Sequence, residues 1–271
     1  MARKATNETA GKALIPWDEQ LARDAEIAAE LERNAGGGAF FSVRGGVLSF
    51  NDAPVPNNTM AVVIVDGIFE NVFYEGEFDP ATPAAPTCFA FARDEKDLAP
   101  HEEVVKRNQQ QNDVCAGCDK NEWGTADKGR GKACRNTRRL ALIPGGSFDE
   151  KTGRFVAVKD EEAVEKAPIG FLKLPVTSVK GYVSFVKTIA GGMKLPPHGI
   201  FSKVMVVPDQ KNQFRVTVEP LGAIPHALMS MIMKRREEAK LLIEQPYPLD
   251  MGDDAKPAPK GKPAPKAKPK R

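Results

Sequence analysis

Four cysteines carry the clearest chemistry in this chain: Cys88, Cys115, Cys118 and Cys134. Cys115-Ala-Gly-Cys118 is a CxxC knuckle, a spacing that lets two thiolates turn onto one metal ion while Gly117 permits the tight backbone. Cys134 follows after fifteen residues, and Cys88 lies upstream at the start of Cys-Phe-Ala-Phe-Ala. Zinc takes four ligands in tetrahedral geometry, and four sulfurs leave no open position for water or substrate. The expectation is therefore one structural Zn2+ held by all four cysteines. His101 is the alternative fourth ligand, because Cys88 is far from the knuckle in sequence. The competing reading makes Cys88 a small buried apolar residue and Cys115 with Cys118 a redox pair.

The residues around the cysteines suggest what such a metal would support. Between Asp119 and Arg139 there are seven basic and three acidic residues, the basic ones including Lys128, Arg130, Lys132, Arg135, Arg138 and Arg139. Lys128-Gly-Arg130-Gly-Lys132 alternates cations with glycines, so backbone and charge can both approach an anion such as phosphate. A zinc tetrathiolate itself carries two negative charges and absorbs two or three cations, but not seven. Proteins that hold single strands without reading sequence combine a cationic groove with aromatic platforms. Phe69, Phe73, Tyr74, Phe89, Phe91 and Trp123 are the candidate platforms. Phe89 and Phe91 share one face of a strand, and Trp123 sits in a polar, glycine-rich loop.

Catalysis is not signalled. The chain lacks a phosphate-binding GxxxxGK[ST] loop, GxGxxG, HExxH, GxSxG and the zinc-deaminase signature. Its three histidines each follow a proline. No apolar run approaches the length of a membrane span and no export signal opens the chain, so the sequence reads as soluble, in a reducing compartment. The formal charge of +3 hides an asymmetry: the last seventeen residues hold seven cations and no acid, which leaves the body at −4. Partner arguments must rest on local charge.

These residues need elements to position them. Residues 1–35 read as a polar arm and a helix with Trp17, Leu21, Ile27 and Leu31 at helical spacing, ended by Gly36-Gly37-Gly38. Short apolar runs then predict strands at 39–43, 47–50, 61–65, 68–74, 87–92, 138–143, 154–158 and 169–174, with a hairpin at 201–207 and 214–218. Thr177 or Ser178 caps a helix reaching about Ala190, which Gly191-Gly192 stops. A final helix at about 225–244 aligns Leu228, Ile232, Arg235 and Ala239. The expected fold is α+β: an OB-like small β-barrel over residues 36–222 with a zinc-binding insertion at about 88–139 and flanking helices. Residues 223–250 carry the C-terminal helix, and the Lys/Pro/Ala tail of 251–271 is expected to be disordered.

Glu70-Asn-Val-Phe-Tyr74, Thr87-Cys-Phe-Ala-Phe91, the knuckle with Trp123-Gly124, and Gly131-Lys-Ala-Cys-Arg-Asn-Thr-Arg-Arg-Leu140 together resemble bacteriophage-encoded single-stranded DNA-binding proteins with a zinc-stapled OB-like core. Leu174-Pro-Val-Thr-Ser178 and the helix with Tyr182 and Phe185 extend the resemblance. It covers about residues 36–219, and the cysteine block is its specific part. The resemblance implies a non-catalytic protein of phage DNA replication or recombination in the cytoplasm of the infected host, with single-stranded DNA and other replication or recombination proteins as partners. Many such proteins end in an acidic tail, whereas this chain ends in Lys and Arg. A zinc-stabilised protein-interaction or transcription-regulatory module is the alternative.

Overall fold

A computed structural model describes residues 20–21, 39–50, 53–76, 85–127 and 129–247. The expectations for the N-terminal arm and helix, the glycine run at 36–38, Lys128 and the basic tail fall outside these residues, except that Gln20 and Leu21 are helical. The described residues form ten strands: β1 (Ala39–Arg44), β2 (Val47–Phe50), β3 (Ala53–Pro54), β4 (Thr59–Phe73), β5 (Cys88–Ala92), β6 (Arg135–Phe148), β7 (Phe155–Ala157), β8 (Gly170–Leu174), β9 (Ile200–Asp209) and β10 (Gln213–Ala223). The described helices are α1 (Glu102–Lys106), α2 (Glu161–Lys166), α3 (Val176–Thr188) and α4 (His226–Leu242). None of them is long and apolar enough to cross a membrane.

The class is α+β, with a mixed sheet in which β1 runs parallel to β8 and antiparallel to β2. Its hydrogen-bonding order is β10-β9-β4-β6-β8-β1-β2-β3, with β5 added to β4 and β7 to β6. This path has two ends, so the sheet is open and longer than the small, partly open OB-like barrel expected from the strand count. The cause lies in β4 and β6. The sequence suggested two short strands at 61–65 and 68–74, but the backbone continues through Asp66 and the exposed Gly67 as one strand of 15 residues.

The chain divides into two compact units, one drawn from Met1–Asp66 and Arg139–Lys240, the other from Gly67–Arg138 and Leu241–Arg271. The first is built on a cluster in which Leu48 of β2, Val62 and Ile64 of β4, Leu140 and Leu142 of β6, Leu172 and Leu174 of β8, and Val204 and Val206 of β9 meet Phe185 and Ile189. Packing of Leu48 with residues of β9 means that the sheet curls around its own apolar face. Burial of such side chains supplies the main driving force for this unit. α4 contributes the buried Leu228, Ile232 and Ala239, the stripe read from the sequence. Arg235, on the same stripe, reaches the Ala167 carbonyl and Glu238.

Two helix boundaries differ from expectation. α3 starts at Val176 behind Pro175 with no side-chain cap, because the Ser178 hydroxyl accepts a hydrogen bond from the Val216 backbone N–H at 2.8 Å. Gly191 and Gly192 lie inside a closing π-turn at Ile189–Met193, and Lys194, at φ 58°, ends it. The short helices α1 and α2 begin at two places the sequence allowed as helix starts, and their N-caps, His101 and Asp160, accept from the backbone N–H two residues on.

A groove of about 810 Å³ opens in this unit, lined by Phe41, Phe50, Phe148, Met60 and Lys203 among others. One of its walls depends on Gly146, whose φ is 144° and where an added Cβ would stand 2.2 Å from the Val156 carbonyl oxygen. Gly146→Ala is expected to destabilise the fold by more than about 1 kcal/mol, measured by urea unfolding, since it adds strain as well as collision.

The second unit holds a smaller core. Val72, Phe89 and Val104 form one cluster with Tyr74, Phe91 and Tyr247 packed on it, and Ala90, Ala92 and Leu98 form another beside Phe69 and Cys115. The C-terminal part of β4 pairs with β5 in the register Phe73↔Cys88, Asn71↔Ala90 and Phe69↔Ala92. Alternation then gives β4 two distinct faces here: Phe69, Asn71 and Phe73 on one, and Glu70, Val72 and Tyr74 on the other.

Candidate metal centre and cationic loop

The four cysteines come together although they span 47 positions of sequence. Cys88 opens β5 opposite Phe73. The Cys115 N–H donates to the Leu98 carbonyl at 3.0 Å, which ties the knuckle to the loop beyond β5. Gly117, at φ 74°, makes the turn that a side chain would resist. Cys118 then precedes a 3₁₀ turn at Asp119–Asn121, where the Asn121 N–H donates to the Cys118 carbonyl and the Asn121 amide to the Cys115 carbonyl. Cys134 is brought back by its N–H, which donates to the Lys120 carbonyl at 2.7 Å. All four thiols line one cavity of about 20 Å³, together with Asn71, Phe73, Lys120 and Asn121.

All four cysteines are free thiols, so the Cys115–Cys118 pair is not a disulfide in this structure. Burial pushes the Cys88 and Cys115 thiols above their ordinary range. The Cys134 thiol is pushed up to about 12, first by burial and then by the charges that Cys115, Cys88 and Cys118 would carry. Among the described residues there is no group of three or more His, Cys, Asp or Glu side chains already placed to hold a metal ion.

The residues nevertheless fit a thiophilic divalent ion. The donor set is four thiols around one cavity, which suits a tetrahedral zinc ion and whose mutual repulsion when ionised a dication would reverse. The second observation is an orphaned donor. Asn71 is 3% exposed and lines the cavity, yet its Nδ2 has no hydrogen-bond partner. Loading such a site must expel protons. His101 does not line the cavity; its Nδ1 accepts the Glu103 N–H at 3.2 Å and its ring stacks on Phe89 at 5.0 Å.

From the cavity the chain carries a compact lobe. The Gly124 and Ala126 N–H groups both donate to the Gly131 carbonyl, and the Thr125 hydroxyl donates to the Glu122 carbonyl while accepting the Ala133 N–H. This folded-back loop presents Trp123, which is 78% exposed. Lys132 lies across it with Nζ 5.8 Å from the indole centroid and also donates to Asn121 Oδ1 at 3.2 Å. Arg130 and Arg135 are exposed, and the Arg135 guanidinium stands 5.6 Å from the Tyr74 ring. Arg138 lies 3.5 Å above Phe69. Cations held on rings in this way are pre-ordered at little entropic cost.

Four of the expected contact residues pack against other side chains. Phe89 and Phe91 do share a face, with centroids 5.3 Å apart, but that face is packed against His101 and Tyr247, and Phe89 is 1% exposed. Phe73 is buried and its ring is covered by Lys120 at 5.4 Å. Arg139 belongs to the first unit and is 2% exposed, with its guanidinium 5.7 Å from the Phe40 ring. Sequence reasoning missed Lys120, Asn121 and Asn71. The signal for Asn71 was a polar amide inside a run of strand-forming residues, where asparagine is disfavoured without a specific partner.

Comparison of the chain with protein-family models, with curated proteins and with solved structures gives no match. The residues themselves carry the functional argument.

Proposed function

We propose that this chain is a non-catalytic single-stranded DNA-binding protein whose zinc-stapled loop grips the phosphate backbone and stacks a base on Trp123, acting in phage DNA replication or recombination in the host cytoplasm. One observation carries the reading: a cavity lined by four free thiols anchors a loop that displays an exposed tryptophan with Lys132 laid across it and Arg130 and Arg135 exposed near it in sequence. An exposed indole offers a flat face on which a base stacks with little sequence preference. Cys88, Cys115, Cys118 and Cys134 would hold the zinc ion, which would staple the loop to β5. The protein's own residues do the binding: Arg130, Lys132 and Arg135 meet phosphates, and Tyr74 and Trp123 offer ring surface. Lys128 and the Lys/Pro/Ala tail add charge by sequence.

Trp123→Ala is the direct test, made in a Trp17→Phe background so that the remaining tryptophan emission belongs to Trp123. The parent's emission is expected to quench on titration with an oligonucleotide. The alanine variant is expected to bind about 1 to 3 kcal/mol more weakly with its salt dependence unchanged. An unquenched indole together with unaltered affinity overturns the reading. A second reading, a protein-interaction module, draws on Val105 and Val114, both 50% exposed in the same unit. It requires that single-stranded DNA fail to displace a protein bound to the Trp123 loop.

A further inference from the structure

Asn71 stands where the cysteine cavity meets the cationic strand. It is 3% exposed on the face of β4 that carries Phe73, and it lines the cavity with the four thiols. Its Oδ1 accepts a hydrogen bond from Asn136 Nδ2 at 2.6 Å, and Asn136 lies in β6 directly after Arg135 and two positions before Arg138. With the oxygen fixed by Asn136, the amide nitrogen is turned the other way, and that nitrogen is the one buried donor of the cavity lining without an acceptor. An unmet buried donor is a cost that folding normally avoids. Here the missing acceptor is at hand. Cys115 lines the same cavity and packs against the cluster of Ala90, the residue opposite Asn71 in β5; a neutral thiol there is a poor acceptor, whereas a metal-bound thiolate is a good one.

We propose that Asn71 is the positioning residue of the metal centre, donating its Nδ2–H to the Cys115 thiolate formed on metal binding while its Oδ1 holds Asn136, so that occupancy of the site sets the strand bearing Arg135 and Arg138. The inference rests on the zinc reading above and adds a residue that is neither a ligand nor a DNA contact. No atom is transferred except the thiol proton, which leaves to solvent as the metal enters. Residues that orient metal ligands from behind change metal affinity by about 10- to 100-fold when replaced. Asn71→Asp keeps the acceptor for Asn136 but presents an oxygen to the thiolate. Asn71→Leu removes both functions, and Asn136→Ala leaves β4 untouched.

The experiment loads the full chain with Co2+ in place of zinc, follows the thiolate-to-cobalt charge-transfer absorption, and measures zinc affinity by chelator competition. Wild-type protein is expected to show the band. Asn71→Asp and Asn71→Leu are expected to bind zinc about 10- to 100-fold more weakly with the band moved to lower energy, because a sulfur that loses an N–H partner gives up its electrons more readily. Asn136→Ala is expected to show a smaller change of the same sign, which keeps the test readable if either Asn71 variant folds poorly. Affinity and band position unchanged in Asn71→Asp overturn this inference and leave the metal standing. Absence of the band in wild-type protein overturns both.

Discussion

Cys134→Ser is expected to abolish zinc binding and to open the lobe between Asp113 and Arg135 to proteases, while the first unit keeps its fold. The size of the effect follows from how little else holds that lobe. Among the described residues, two clusters of the second unit each have three buried apolar residues at their centre, against thirteen in the first unit's cluster. Most of the chain from Gln111 to Cys134 runs in bends and turns without helix or strand. Binding of structural zinc to small cysteine-rich modules is worth about 10 to 16 kcal/mol at neutral pH, and that free energy is folding free energy. Whole domains are stable by only about 5 to 15 kcal/mol, so a lobe deprived of its metal has nothing comparable to replace it. Limited proteolysis followed by mass analysis checks the result, with cleavage expected at Lys120, Arg130 and Lys132 in the variant and in chelator-treated parent. A variant as resistant as the metal-loaded parent contradicts the staple.

The second large effect concerns charge. Replacing Arg130, Lys132 and Arg135 together by alanine is expected to weaken single-strand binding about 100-fold at 0.1 M salt. Each cation on a single-stranded phosphate contributes about 0.7 to the slope of log affinity against log salt. Loss of three lowers the slope by about 2, and if affinities meet near 1 M salt the difference at 0.1 M is about two decades. The loss should be uniform across oligonucleotide sequences, as expected for backbone contacts. Lys151→Ala with Lys159→Ala, exposed cations of the first unit, serves as the control and is expected to change little. A triple variant with an unchanged salt slope would place the phosphate contacts elsewhere.

Much of this architecture was legible because strands and helices announce themselves locally. The runs at 39–43, 47–50, 87–92, 169–174 and 201–207 became strands, and the Leu228–Ile232–Ala239 stripe became the buried side of α4. What local pattern could not supply was pairing. Glycine at position 67 looked like a break between two strands, yet an extended backbone tolerates it, and one long β4 passing through it replaces a short-stranded barrel with an open ladder. The same limit applied to the aromatics. Phe89 and Phe91 alternating with alanine describe a stacking platform and a packed face equally well, and only the arrival of His101 and Tyr247 decides between them. Arg139 and Arg138 are neighbours in a cationic run, but successive strand residues point to opposite faces, so one is buried against Phe40 and the other lies over Phe69. The cysteines were legible as a set because their residue type is scarce. Asn71, the donor that completes the cavity's lining, became visible only when its partnerless nitrogen was placed beside the sulfurs.

The central claim, that a metal-stapled cationic loop binds single-stranded DNA, is tested most directly by one fluorescence anisotropy titration. A labelled oligonucleotide is titrated with zinc-loaded and with chelator-stripped full-length protein across a series of salt concentrations. The account predicts tight binding at low salt that weakens linearly in log salt, with both affinity and slope reduced when the metal is removed. Binding absent at low salt, independent of salt, or identical with and without zinc would contradict it.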